Sequence, residues 1–585
     1  MKPFDAVRWI CLLTLLPSVG CAMLSLRGGK ETAEQLEKLG EEEGTPLISR
    51  YAHPYGMDWV KVESVGLVTG LDGTGSDPVQ STQRATLLDE MNRRKVDKPN
   101  AVLASPTTSL VLVRGFLPPG VQKGDRFDVE VRTTSRSETT SLRGGRLLEA
   151  DMTQLAVLGQ QIREGHLWAR AEGAVLVDPS ADASGDALAT RGRVLSGGVS
   201  LRTRDLGLIV GNNHVSVRMT QSIAKAVNER FQAYERGRQI GVAEAKNDEF
   251  IKLRVHPRYK DNVGRYVRVV RSIALQETAT ARIERAQLLS KQLLDPLTTS
   301  RAALRLEAIG GELAIAPLLK GLESKDLEVR FYSAEALAYL DQTAGVKALA
   351  EAARDEPALR VHALAALSAM DDVNAYDSLR LLLSSKSAET RYGAFRALRA
   401  MNAGDPLIRG EELGGQFGFH VLDIEGPKMV HVTRSRRPEI VLFGAGQQFE
   451  LPMVLDAGTE ILINGMTHNE VVVTRITAGE AETKRRVVSA DVEEVIRAIV
   501  ELGGVYPDVV QALQQAKNSG ALPSRFRVDA IPRAGREMEA DEELAQAASD
   551  GSAGEGSDMT ELDDTTAPGS YRVATPVPDL FSNQR

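Results

Sequence analysis

Three residue groups in this chain have types and spacing that invite a chemical reading. The first is Gly66-Leu67-Val68-Thr69-Gly70-Leu71-Asp72-Gly73-Thr74-Gly75. Glycine-rich loops let backbone N–H groups cradle phosphate. Here no Gly-Lys-Ser/Thr follows, and no Gly-x-Gly-x-x-Gly opens a helix, so the cation and the helix that such a loop needs are missing. A backbone turn is the expectation. The second group is the eight histidines, at 53, 166, 214, 256, 362, 420, 431 and 468. They never recur as His-x-x-x-His or beside a cysteine, the spacing by which zinc gathers its donors, so surface or packing roles are expected. The third is the carboxylate pairs Asp371-Asp372 and Glu411-Glu412, read as solvated charge in loops; no Gly-x-Ser-x-Gly elbow accompanies them. No catalytic residue, cofactor-binding residue or metal ligand emerges. The expectation is a protein that is not an enzyme.

The bulk numbers frame that reading. The 585 residues call for several cores, and 42% apolar with 26% charged residues is ordinary for folded soluble protein. Net charge is −8, and residues 533–585 hold twelve Asp or Glu against four Arg, so the excess lies in the tail. The remainder is neutral overall, unlike a nucleic-acid binder with clustered Lys and Arg. The run Arg434-Ser435-Arg436-Arg437 is read as an exposed loop.

The cysteines are Cys11 and Cys21. Lys2 and Arg8 precede an apolar run from Trp9 to Leu16, then Pro17-Ser18-Val19-Gly20-Cys21. This pattern reads as an export signal, too short for a permanent span of about 20 residues. Small residues before Cys21 resemble a lipobox, with Ser18 where that box usually has Leu. Lipidation at Cys21, ordinary signal cleavage and a retained anchor stay open.

The elements that would position any site divide the chain. Residues 1–21 are the signal and 22–58 a polar linker or helix. Residues 59–280 alternate strand-like runs, at 110–113, 127–131, 173–177 and 206–210, with turn signals such as Pro118-Pro119-Gly120. Ile223, Val227 and Phe231 predict an amphipathic helix over 222–233. Residues 281–403 carry a repeat of about 30 residues. Arg330, Arg360 and Arg391 open three registers that close on Ala336-Leu337, Ala366-Leu367 and Ala397-Leu398, after a shorter unit through Ala302-Ala303-Leu304 to Ile309. These resemble HEAT repeats, whose helix pairs stack into a solenoid offering a partner-binding surface. Residues 404–532 return to strands, at 439–443, 460–463 and 470–474, then give two helices over 491–507 and 508–522, each with an acidic cap expected at its start. Residues 533–585 read as a disordered acidic tail. The fold class expected is α+β with an inserted all-α solenoid.

The Gly66–Gly75 stretch, Gly115-Phe116-Leu117-Pro118-Pro119-Gly120, Lys123-Gly124-Asp125-Arg126-Phe127-Asp128-Val129 and Ser141-Leu142-Arg143-Gly144-Gly145, in this order, resemble the bacterial flagellar P-ring protein family. The helix near 222–231, the strand 250–255 and the helical pair 491–522 resemble its further modules, which places the repeats as an insertion. The resemblance implies a structural subunit of the periplasmic ring of the basal body, self-assembling around the distal rod and supporting motility. Its implied partners are other copies of itself, the rod, the outer-membrane ring lipoprotein and peptidoglycan, with a further protein on the repeats and no nucleic acid. Three features depart from the family: the lipobox, the solenoid and the long acidic tail. They keep open an alternative, an envelope lipoprotein adaptor that uses the fold and repeats to bind a partner outside the flagellum.

Overall fold

The structure, a computed structural model, describes residues 44–158, 161–179, 187–235, 238–466, 469–476, 483–533 and 578–580. The expected signal with Cys21, and residues 534–577 of the acidic tail, lie outside these described residues.

Alternating valines and leucines build the first layer. Strands Val60–Thr69, Thr108–Leu117, Arg126–Thr133, Arg146–Leu158, Gln161–Ala174 and Arg191–Ser200 pair antiparallel in sequence-near order, and 126–133 also pairs with 191–200, so the sheet closes on itself. A closed barrel leaves no edge to cover. Its interior is filled by Val62, Val68, Val111, Val113, Val129, Val131, Leu147 and Met152. The strands expected at 110–113 and 127–131 lie within this barrel, and Leu176–Val177 adds to 191–200.

A second, four-stranded sheet orders Ala52–Tyr55, Leu206–Val210, Phe250–Leu253 and Ala243–Ala245. Part of the stretch read as linker is therefore a strand, registered Ala52 to Val210. The helix over this sheet spans Val217–Arg230, beginning before the expected 222, because Ser216 accepts from the Met219 N–H and caps it. Phe231 follows its end and is buried.

From Ala279 to Met401 the chain is helical: Ala279–Leu293, Thr299–Ile309, Glu312–Leu322, Leu327–Tyr339, Val346–Asp355, Arg360–Ser368, Val373–Leu382 and Ala388–Met401. The first helix of each repeat is buried on nearly every side, whereas the second buries one face. A helix apolar all round has neighbours all round. Here they are the second helices on one side and the flanking β modules on the other.

Beyond the repeats, a five-stranded mixed sheet orders Glu411–Leu413, Phe417–Leu422, Glu439–Phe443, Met429–Val432 and Arg525–Val528. A four-stranded meander runs through Met453–Ala457, Ile461–Gly465, Glu470–Arg475 and Lys484–Ser489. Helices Val492–Glu501 and Tyr506–Asn518 share one core with both sheets. The caps differ from expectation. Asp491 stands at the first N-cap, but its carboxylate accepts from Gln448 and Ser489 side chains instead of the helix. The second helix starts at Tyr506 with Pro507 in its first turn, and Asp508 accepts from the Val505 N–H one turn back.

Candidate functional site

The two signature stretches meet in space. Val68 pairs with Leu147 and Thr69 with Arg146. The Thr74 hydroxyl donates to Ser141 O at 2.8 Å, and the Thr140 N–H donates to Thr74 O at 3.0 Å. Gly70 and Gly73 take the left-handed backbone that glycine alone adopts freely, at φ +79° and +71°. Gly75 is glycine for a different reason: its N–H donates to Pro106 O at 2.8 Å, and a Cβ would strike the Thr108 carbonyl. The stretch is a close-packed corner of the barrel, with its glycines used for turning and for backbone contact.

The densest polar chemistry lies where the repeats meet the β modules, in a row that the sequence repeat itself defines. The residue before each Ala-Leu or Ala-Ile pair is Glu307, Glu335, Ala365 and Arg396. At one end, Arg265 on helix Val263–Arg271 sits 2.6 Å from Glu307 and 2.6 Å from Glu335, all three buried. Tyr259 donates to Glu307 at 2.6 Å, and the Arg265 guanidinium lies 4.6 Å over the Tyr339 ring. Burial alone would lower the Arg265 pKa, but the two carboxylates outweigh it and raise it, so the guanidinium is firmly charged. Glu335 is raised, by burial first and by Glu307 second, against the pull of Arg265. Two carboxylates share one cation.

At the other end the row changes sign. Arg396 lies 3.4 Å from Glu439, which opens strand Glu439–Phe443, and Tyr392 donates to the same carboxylate. Burial works against the Glu439 charge, yet Arg396 leads a set of partners that lower its pKa overall. Three histidines pack nearby or within the repeats. His431 stacks on Tyr392 at 3.8 Å and accepts from the Ala530 N–H. His420 is within 3.0 Å of Ile408 O, and His362 is fully buried in the helix Arg360–Ser368. Burial depresses their pKa values to about 3 for His362 and His431 and to about 4 for His420.

A loop at 256–262 runs along the open ends of the first helices. From this loop Arg258 donates to Tyr339 O at 3.4 Å and Lys260 to Ala400 O at 2.6 Å, and Arg230, the last residue of helix Val217–Arg230, donates to Glu307 O at 2.7 Å. Each cation thus meets the carbonyls near the C-terminal end of a different repeat helix, where the helix dipole is negative. The repeated arginines do similar work inside the solenoid. Arg330 donates to Ser324 O and Lys325 O, Arg360 to Ala353 O, and Arg391 to Leu383 O, each satisfying carbonyls at or just past the end of the preceding helix.

This geometry corrects one charge reading and, for the solvent-facing carboxylate pairs, changes only the elements on which they sit. Arg434–Arg437 is not a solvated loop: Arg434 pairs with Asp178 of the barrel region, the Arg436 N–H reaches Asp128, and burial beside Arg396 lowers Arg437 to about 10. Asp372 is an N-cap that accepts from Asn374 and Ala375, and Glu411 lies on a strand and accepts from Arg497. His166 is exposed, and His468 lies outside the described residues. No helix among the described residues is long and apolar enough to cross a membrane. Among them, no group of His, Cys, Asp and Glu converges as a metal site.

Residues 52–285 match the family model of the flagellar P-ring protein. Residues 315–399 match HEAT repeats. The P-ring match covers the barrel, the second sheet and the helix that carries Arg265. Curated relatives named flagellar P-ring protein include those of Thermotoga maritima, 28% identical over 230 residues, and Geobacter metallireducens, 30% identical over 229 residues, each over 37% of this chain. That of Escherichia coli O139:H28 is 32% identical over 203 residues, or 32% of this chain. The matches cover 63%, 58% and 51% of those relatives. The chain thus spans between about half and just under two thirds of their length.

Proposed function

We propose that the protein is a structural subunit of a flagellar P ring, whose copies associate side by side around the distal rod in the periplasm and support rotation and motility. The match of residues 52–285 to that family carries the reading. Repeated heterologous contacts close a ring when the rotation per subunit closes, and the product is a stiff bushing that needs no covalent chemistry. The proposed partners are neighbouring copies, the rod, the outer-membrane ring lipoprotein and peptidoglycan. Cys21 is the proposed lipid attachment, which would tether each subunit to a membrane.

The organisation proposed within the subunit is P-ring-like modules at 59–280 and 404–532 around repeats at 281–403. What supports a mechanical role for the repeats is the ionic row: Arg265 on one flank and Glu439 on the other hold the solenoid to both modules. Its first-helix layer is occupied by the chain itself, which leaves the second-helix layer for any outside protein. Homologues named for the ring favour this reading over a non-flagellar adaptor. Electron microscopy of purified basal bodies from cells carrying a tagged copy tests it. Label at the periplasmic ring is expected, and label elsewhere overturns the assignment.

A further inference from the structure

We propose that Arg391 and Arg525 form a binding site for an oxyanion of the phosphate or sulfate class, at the seam between the last repeat and the five-stranded sheet. Two turns hold both side chains there. Arg391, on helix Ala388–Met401, donates from Nε to Leu383 O at 2.8 Å and from Nη1 to Pro427 O at 2.6 Å. Arg525 opens strand Arg525–Val528; its backbone N–H donates to Lys428 O at 3.1 Å and its Nη1 to Lys386 O at 2.9 Å. Each arginine therefore bridges the turn after helix Val373–Leu382 and the turn before strand Met429–Val432.

The nitrogens left over on the two forks point to a ligand. Nη2 of Arg391 and Nη2 of Arg525 are both buried, and neither meets an acceptor among the described residues. One face of the Arg391 guanidinium is covered by the Phe443 ring, 4.7 Å away, so only that edge remains to be satisfied. Burial first and the Arg525 charge second lower the Arg391 pKa to about 10, with no carboxylate pulling the other way, and the group stays charged at neutral pH. A buried N–H without an acceptor forfeits its hydration, and two neighbouring cations repel. A water oxygen answers the first cost and leaves the second. An oxyanion answers both, because its oxygens accept from the two Nη2 groups while its charge offsets theirs. The way in lies on the Arg525 side: Arg391 is fully buried, Arg525 is part-buried, and Lys386, Pro427 and Lys428 on the two turns are exposed. Lys386 and Lys428 outnumber Glu425 on these turns, so the rim is positive as well. A bound oxyanion ties helix Ala388–Met401 to strand Arg525–Val528, whether or not copies of the chain form a ring.

The test titrates full-length protein with sodium phosphate, with sodium chloride holding ionic strength constant, and follows binding by calorimetry and the thermal midpoint. Saturable binding of one phosphate per chain is expected, with a midpoint that climbs as phosphate replaces chloride. Arg525→Gln removes one of the two forks and should weaken phosphate binding by about tenfold or more. Arg525→Lys keeps the charge without the fork and should fall between the two. Arg485→Gln, on the exposed strand Lys484–Ser489, should bind phosphate as the unsubstituted protein does. Absence of saturable binding overturns the site. So does binding that Arg525→Gln leaves intact, or that Arg485→Gln weakens equally, since phosphate would then be held by surface charge at large. An Arg525→Gln midpoint lowered by the same amount in chloride and in phosphate would make Arg525 structural alone and overturn the assignment too.

Discussion

At the scale of single residues, the decisive feature is charge taken out of water with its partner. Arg265 neutralises only part of the Glu307 and Glu335 pair, so replacing it with Met strands two carboxylates in the core. Breaking a buried pair from one side costs about 3–5 kcal/mol. The expected outcome for Arg265→Met is a loss of that size in urea unfolding at pH 7, partly restored by adding Glu335→Gln. An unrescued loss would assign the effect to packing alone. The histidines set a second expectation. His362 is held neutral at about 3 by burial, with Arg265 adding to the effect, whereas an unfolded histidine titrates near 6.5. Its folded pKa is depressed, so its contribution is fully present above about pH 6.5 and is lost as pH falls toward 3. At pH 5 the loss is about 2 kcal/mol for this one group. His362→Leu should flatten the acid limb of the thermal midpoint while changing it little at pH 7.5. Superimposed acid limbs for the two proteins would count against this account.

At the scale of elements, the repeated arginine is a joint between successive helix pairs, and its depth grades its importance. Arg360 and Arg391 are buried and Arg330 is half-buried. Arg360→Met should cost about 2–4 kcal/mol, since it removes a buried guanidinium that donates to the Ala353 carbonyl and to Glu389, and Arg330→Met about 1 kcal/mol or less. Chemical denaturation of the two variants checks the order, and equal losses would refute it. These arginines were legible in the sequence because they recur in register, as were the strands at 206–210 and 439–443 from their unbroken apolar runs. The ionic row was only half legible. Its positions follow from the same repeat, but Glu307, Glu335 and Arg396 look like ordinary charges on helices until the partners, Arg265 and Glu439, arrive from far along the chain. The same reason explains why Arg434 reads as solvent-facing from the sequence. Charge patterning reveals a burial site only when its partner is local, and here Arg434 finds Asp178.

At the scale of the whole molecule, a single core runs without interruption from Ile48 and Ile223 through every repeat to Met429, Val441 and Phe443 of the five-stranded sheet. A solenoid inserted as a separate bead would have its own closed core and hydrated joints on either side. Here the entry joint is paired: the Ile48 N–H donates to Ile273 O at 2.9 Å and the Leu275 N–H to Pro46 O at 2.8 Å. The exit joint is held where Ile408 is buried beneath His420 and Arg399 reaches Arg409 O. Segments whose backbone is hydrogen-bonded into the fold open rarely, and proteases cut those that open cheaply. Limited proteolysis of the native protein should therefore spare residues 272–279 and 402–410 and release no repeat fragment while the barrel remains folded. First cuts inside either joint would show that the repeats hinge freely. That stiffness decides whether load entering one β module reaches the other through the repeats or is lost at a hinge.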